Sequence, residues 1–279
     1  MKQFRGLGKC YYFLINFVLL VFSLSFLMPV IWLIYSSLKP ASEFSQSIIA
    51  LPKNPSFENY VYVFANGRFT SFFINSTRNT VLSVVLIILF GYIVGYFISR
   101  LQFRGRKAIY LLFIAGMLLP VHALIVPMYI LFKQFSLTNS WFTILLPNVA
   151  FGMPVALLLV SSYIKGIPTE LEAAAAIDGS GFIRTMFSII MPVARPVLIT
   201  IGVMQYFSCW NEFIFSLILL NDTYLMPLSV GINLLKGEWT TDYTRIMAIM
   251  TAAIAPAIIV YFSLSKYIIK GVVAGAVKG

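Results

Sequence analysis

Residues Pro168–Pro196 read Pro-Thr-Glu-Leu-Glu-Ala-Ala-Ala-Ala-Ile-Asp-Gly-Ser-Gly-Phe-Ile-Arg-Thr-Met-Phe-Ser-Ile-Ile-Met-Pro-Val-Ala-Arg-Pro, the longest polar interruption in the second half of an apolar chain. They include Glu170, Glu172 and Asp178, three of the nine acidic residues. Pro168 opens a helix, and Glu170 and Glu172 fall at its positive end, where carboxylates are favoured. Ala173, Ala174, Ala175 and Ala176 have the highest helix propensity, and Gly179 supplies a stop. Ser180 is positioned to cap a second short helix that Pro192 terminates. Helices below roughly 12–15 residues are marginal alone in water, so both must pack on something. Leu171, Ala174, Ala175 and Asp178 recur at helical spacing and give a smooth face, suited to an elbow that enters a partner's cleft. An ordinary alanine-rich loop helix would read the same way from these residues alone.

Outward from this elbow the chain is apolar on both sides. Of its 279 residues 60% are hydrophobic and 10% charged, against about 25% charged in a soluble domain. The composition predicts an all-α, polytopic membrane protein with six transmembrane helices, since a span needs about 20 apolar residues. The predicted spans are 11–38, 79–99, 108–132, 141–164, 197–220 and 246–265, with the polar loop 165–195 between the fourth and fifth. Residues 11–38 are too long for a signal-peptide core and lack a small-x-small exit, so they are read as a retained span. Residues 39–73 read as an irregular outer segment. Gly91 and Gly95, four apart, favour close helix packing; Pro120 and Pro127 predict a kink in the third span. No repeat or linker is evident, and a single transmembrane domain accounts for residues 1–279.

The net charge of +11 is located beside the spans, which points to a lipid bilayer and not to nucleic acid. With the N-terminus inside, thirteen of the twenty Lys and Arg residues fall in inner segments, among them Arg100, Arg104, Arg106, Lys107 and Lys165. This positive-inside bias predicts cytoplasmic N- and C-termini and a cytoplasmic elbow. Arg78 and Arg245 lie near outer span ends, where long side chains can snorkel. Cys10 and Cys209 are not expected to form a disulfide.

In the fifth span Trp210, Asn211 and Glu212 stand in succession. A carboxylate inside a span is costly and usually faces a cavity or a partner, so these three are candidates for the route of a polar solute. A structural bond between helices is the alternative. His122, the lone histidine, reads as a packing residue able to re-bond carbonyls freed by proline. The chain lacks the G-x-x-x-x-G-K-[ST] phosphate loop, G-x-S-x-G, H-E-x-x-H and paired cysteines at zinc spacing, so no catalytic or metal site is predicted.

The elbow carries a resemblance. A Glu/Ala-rich helix, Asp178-Gly179, nine residues, then Ile189-Ile190-Met191-Pro192 resembles the EAA loop of ABC importer permeases, most closely the carbohydrate-uptake, maltose-type branch. Trp210-Asn211-Glu212-Phe213 and the ending Gly275-Ala276-Val277-Lys278-Gly279 are similar to that branch as well. The resemblance implies that Glu170, Leu171, Glu172, Ala173, Ala174, Asp178, Gly179 and Pro192 form a coupling helix that docks into a cytoplasmic ATPase. It implies a bacterial inner-membrane permease moving sugar or oligosaccharide inward by alternating access. A second, homologous permease, two ATP-binding-cassette subunits and an extracytoplasmic solute-binding protein would complete the assembly. No cofactor is expected in this chain, with ATP and magnesium bound by the ATPase. One departure stands out: the family's usual glutamate falls at Ala173, and Glu172 sits one residue earlier, about 100° round the helix. Either Glu172 substitutes by a small rotation or the ion-pairing part of the contact is weakened. The other readings are an ABC permease for amino acids or peptides and an ion-coupled secondary transporter, the latter disfavoured by the scarcity of acidic groups and the absence of inverted repeats.

Overall fold

Helices account for every regular element among the residues described by this computed structural model: 4–65, 67–238 and 242–276, with side chains over 11–65, 67–235 and 242–264. In chain order they are α1 Phe4–Ser37, α2 Ala41–Gln46, α3 Glu58–Ala65, α4 Gly67–Arg100, α5 Arg106–Met117, α6 Ile125–Gln134 and α7 Leu145–Lys165. Then come α8 Glu170–Ile177, α9 Phe182–Arg184, α10 Met191–Val193, α11 Arg195–Trp210, α12 Ile214–Leu219, α13 Leu228–Glu238 and α14 Tyr243–Ala276. Val277-Lys278-Gly279, the end of the family-like tail, lies outside the described residues.

Among the described residues four helices are long and apolar enough to cross a bilayer: Tyr11–Ser37 of α1, then α4, α7 and Tyr243–Leu264 of α14. Two further candidates are bent pairs: Arg106–Met117 with Val121–Gln134 at 94°, and Phe182–Val193 with Arg195–Trp210 at 75°. The first bend falls at Pro120, as the prolines of the third span predict. His122 lies exposed in its short 3-10 turn and makes no hydrogen bond among the described residues.

Several boundaries differ from the sequence reading. Helix α4 begins at Gly67, well before residue 79, and residues 39–73 contain α2 and α3 instead of irregular chain. The early part of α4 is polar, so hydropathy passes over it; Asn75, Ser76, Asn79 and Thr80 are nonetheless buried. The first two bond to protein: Asn75 Nδ2 donates to the carbonyls of Tyr224 and Met226 at 2.7 and 3.1 Å, and Ser76 Oγ accepts from Leu228 N at 2.7 Å. The predicted span 197–220 is not one helix, because α11 stops at Trp210 and α12 restarts at Ile214. Nor does Pro192 terminate a helix or Ser180 cap one: Gly181 occupies the cap position, and Thr185–Ile190 forms a π-helical segment leading into α10. A proline drives its ring against the carbonyl four residues back in an α-helix, here that of Ser188. The wider π turn, with Met191 N bonded to the Met186 carbonyl, relieves that conflict.

The described residues pack as two compact units, one from Met1–Gly67 with Leu234–Ile254, the other from Arg68–Asn233 with Ala255–Gly279. In the first, Lys39 is fully buried at the end of α1. Its ammonium donates to the carbonyls of Ser47 and Ile48 at 3.1 and 3.3 Å and lies over the rings of Tyr35 and Phe44. Carbonyl dipoles and ring faces stand in for water around the cation. Asn59 Nδ2 donates to the carbonyls of Ser37 and Lys39, each at 2.8 Å, and so ties α3 to the end of α1.

In the second unit α4 lies against α7 at the closest range that side chains allow. A Cβ added to Gly91 would stand 2.6 Å from the Ala156 Cβ, and one on Gly95 would stand 2.6 Å from Val160 Cγ1. The Gly-x-x-x-Gly spacing is thus a contact surface, as the sequence predicts. Around it Ile87, Tyr92, Tyr96, Ile164, Ile190 and Ile201 close a core joining α4, α7, the π segment and α11.

Candidate functional site

Helix α7 ends at Lys165; Pro168 disfavours helical geometry at the residue before it, Ile167, and α8 begins at Glu170 with Thr169 at its cap. The stop is a Schellman closure: Gly179 has φ +79°, its N–H bonds the Ala176 carbonyl at 3.1 Å, and Ser180 N bonds the Ala175 carbonyl at 2.8 Å. Only glycine takes that φ without strain, so the Asp178-Gly179 pair fixes the direction in which the elbow turns.

Within α8 the residues divide by face. Ala175 is buried at 5% exposure and Glu172 is half-buried, whereas Glu170, Leu171, Ala173, Ala174 and Asp178 are exposed. The predicted stripe therefore splits, with Ala175 facing the protein and Leu171, Ala174 and Asp178 facing outward. Pro192 and Gly179 are exposed as well. Glu172 Oε1 accepts from Arg100 Nε at 2.8 Å, and Arg100 Nη2 donates to the Ile167 carbonyl at 2.7 Å. Arg100, the last residue of α4, was legible in the sequence only as one more inner-side base. Exposed apolar side chains extend the outward face: Ile177, 87% exposed, with Phe182 and Ile183. The preference of apolar groups for burial makes such a cluster a contact surface.

Trp210, Asn211 and Glu212 adjoin in sequence but differ in surroundings. Trp210 is buried, stacked on Tyr206 with centroids 5.8 Å apart and edge-on to Phe73 at 6.0 Å. Asn211 is exposed, its amide bonded back to the Phe207 carbonyl at 2.9 Å. The Glu212 carboxylate caps α12, accepting from Phe215 N at 2.6 Å and from Ser216 N at 3.2 Å, with the Ser216 hydroxyl bonded to the same group. Ser229 Oγ donates to the Glu212 carbonyl. Phe73, against Trp210, and Arg100, against the elbow, are on one helix. At about 1.5 Å rise per residue they are about 40 Å apart, more than the roughly 30 Å of a hydrocarbon layer.

Residues 87–273, a stretch containing the elbow, the Glu212 cap and most of the core helices, match the family described as binding-protein-dependent transport system inner membrane component. The chain belongs to that family. Among similar inner-membrane components, the sulfoquinovosyl glycerol transport system permease protein of Agrobacterium fabrum is 32% identical, over 98% of this chain and 95% of that one. The melibiose/raffinose/stachyose import permease protein of Bacillus subtilis is 30% identical, over 90% and 91% of the two chains. Among solved structures, a chain of a bacterial ABC transporter involved in the import of the acidic polysaccharide alginate superposes with a TM-score of 0.81 at 26% identity, covering 93% of this chain and 97% of that one. A chain from the bacterial alginate ABC transporter in complex with its alginate pentasaccharide-bound periplasmic protein shares the fold, with a TM-score of 0.62 at 16% identity.

Proposed function

We propose that this inner-membrane component is the transmembrane permease subunit of an ATP-binding-cassette importer carrying a sugar or oligosaccharide inward by alternating access. The observation that carries the reading is the elbow: a short helix held by a Schellman stop, with Leu171, Ala173, Ala174 and Ile177 turned outward. Such a surface is made for a rigid contact with another chain, and a rigid contact lets one subunit bias the conformation of another. The partner is an ATPase, which binds ATP and magnesium; this subunit performs no catalysis. The bent pairs count as spans, giving six, with both termini and the elbow on the cytoplasmic side of a bacterial inner membrane. The separation along α4 supports that topology, since the elbow and the Trp210 group lie farther apart than a hydrocarbon layer is thick.

Carbohydrate is favoured by the relatives, whose names specify sulfoquinovosyl glycerol and melibiose, raffinose and stachyose, and by the alginate importer. A second, homologous permease, two ATPase subunits and an extracytoplasmic solute-binding protein complete the machine. Trp210, Asn211 and Glu212 line the outer part of the solute route, with Asn211 as the exposed member and Glu212 engaged in holding α12.

The test is reconstitution of this subunit with its partner permease and ATPase in liposomes, with binding protein outside and ATP inside. The reading predicts sugar uptake that stops when ATP is replaced by a non-hydrolysable analogue. Uptake driven by an ion gradient without ATP would overturn the reading, and ATP-driven uptake of amino acids or peptides alone would overturn its carbohydrate part.

A further inference from the structure

We infer that Arg100 and Glu172 are positioning residues for coupling: an ion-paired strut inside this chain, locking the elbow to the end of α4, and not a docking group offered to the ATPase. The inference rests on the functional reading of the elbow given above. The Arg100 fork reaches both sides of the elbow's entry, the Ile167 carbonyl just before Pro168 and the Glu172 carboxylate in the first turn of α8. Its side chain is 9% exposed and that of Glu172 22%, so the pair is well shielded from water. Two neighbours on the same face of α4 act in concert. Tyr96, one turn before Arg100, is buried and lies edge-on to Phe182, just past the elbow's stop, with ring centroids 5.8 Å apart. Tyr92, two turns before, donates to the Met186 carbonyl in the π segment at 2.5 Å. Residues 92, 96 and 100 are spaced by four, the repeat that stacks side chains along one face of a helix. One stripe of α4 therefore grips both arms of the elbow.

These polar grips matter because the apolar anchor of α8 is small: Ala175 is its only buried side chain. With the π segment already seated in the core, α8 alone, held by one methyl group, would shift against the spans when a partner pushed on it. Ala173, about 100° round from Glu172, is exposed and uncharged. The ion-pairing position of the family pattern is thus empty on the outward face, and the neighbouring carboxylate is occupied within the chain. Of the two alternatives left open by the sequence, the geometry favours a weakened ion-pair contact with the ATPase.

The experiment compares Glu172→Gln, Arg100→Met, Arg100→Lys and the charge-swapped pair Glu172→Arg/Arg100→Glu in the reconstituted four-subunit transporter with its loaded binding protein. Three quantities are measured: ATPase retained on purification, melting temperature, and solute molecules moved per ATP hydrolysed. Both neutralising variants are expected to retain the ATPase and lose transport per ATP by roughly tenfold. Arg100→Lys, which keeps the charge but not the fork, is expected to lose about threefold, and the swap, which restores the ion pair but not the bond to the Ile167 carbonyl, to recover part of the lost coupling. Arg100→Lys also serves as the readout if a neutralising variant fails to fold. Transport per ATP within twofold of the parent in every variant, or a swap that restores nothing, would overturn the strut. Loss of the bound ATPase from Glu172→Gln at unchanged melting temperature would overturn it too, by making the carboxylate a docking group. If instead the parent complex shows no ATP hydrolysis linked to transport, the functional reading itself fails.

Discussion

At Gly95 the absence of one methyl group sets the distance between two helices. A Cβ there would meet Val160 Cγ1 at 2.6 Å, inside any van der Waals contact, and Ala156 crowds Gly91 in the same way. Overpacking of this kind costs about 1–3 kcal/mol. Gly95→Val is therefore expected to lower the melting temperature of the purified complex, whereas substitution at Gly67, with open space around its missing Cβ, is expected to leave it unchanged. The glycine pair was legible in the sequence because its spacing alone defines a contact face. Arg100 was not: its partner is Glu172, 72 residues away, and nothing in the run Arg100, Arg104, Arg106 and Lys107 marks the one that pairs with it. Glu172 shows the same limit, since the sequence supplies its offset from the family pattern but not the direction it faces.

Among the elements, apolar length was legible and continuity was not. The long helices α1, α4, α7 and α14 announce themselves by hydropathy, and Pro120 marks the sharpest bend. The break after Trp210 carries no proline or glycine, so the apolar run from 197 to 220 reads as one span. Its stability depends on Glu212, which accepts from the first free N–H groups of α12. Those acceptors have a purpose only once the helix has broken. Capping interactions of this kind contribute about 0.5–2 kcal/mol. Glu212→Ala is accordingly expected to lower the melting temperature measurably, and Glu212→Gln, which keeps one oxygen acceptor, to lower it less. Asn211→Ala, at the exposed position, is expected to raise the KM for uptake with little change in melting temperature. An unchanged KM in Asn211→Ala would remove this residue from the solute route. The polar start of α4 was missed for a related reason: Asn75 and Ser76 are satisfied by the chain that follows Glu212, a partner too distant in sequence to be anticipated.

For the whole molecule, charge placement and cation–ring contacts tell one story. The excess of +11 is gathered beside the ends of the spans, and two bases left out of the inner set have their own partners. Arg78 lies over the ring of Trp141 and Arg245 over that of Tyr62, with Arg245 also paired to Asp242 at 2.9 Å. Cations stacked on aromatic rings suit the membrane–water boundary. The membership of the family was visible in the elbow residues, because the Asp178-Gly179 turn, which needs a left-handed glycine, and its spacing to Pro192 form a recognisable pattern. The central claim, that this elbow meets a cytoplasmic ATPase, is tested most directly by crosslinking at Ile177, the most exposed apolar residue of α8. Ile177→Cys, in a Cys10→Ser/Cys209→Ala background, would be coupled to a maleimide–diazirine reagent in inside-out membrane vesicles carrying the assembled transporter, and the diazirine photolysed so that it inserts into whatever chain lies against the residue. The account predicts a covalent adduct with the ATP-binding-cassette subunit whose yield changes with bound nucleotide. A cysteine that reacts only with reagents added to the outer face, or that forms no adduct with the ATPase in any nucleotide state, would contradict it.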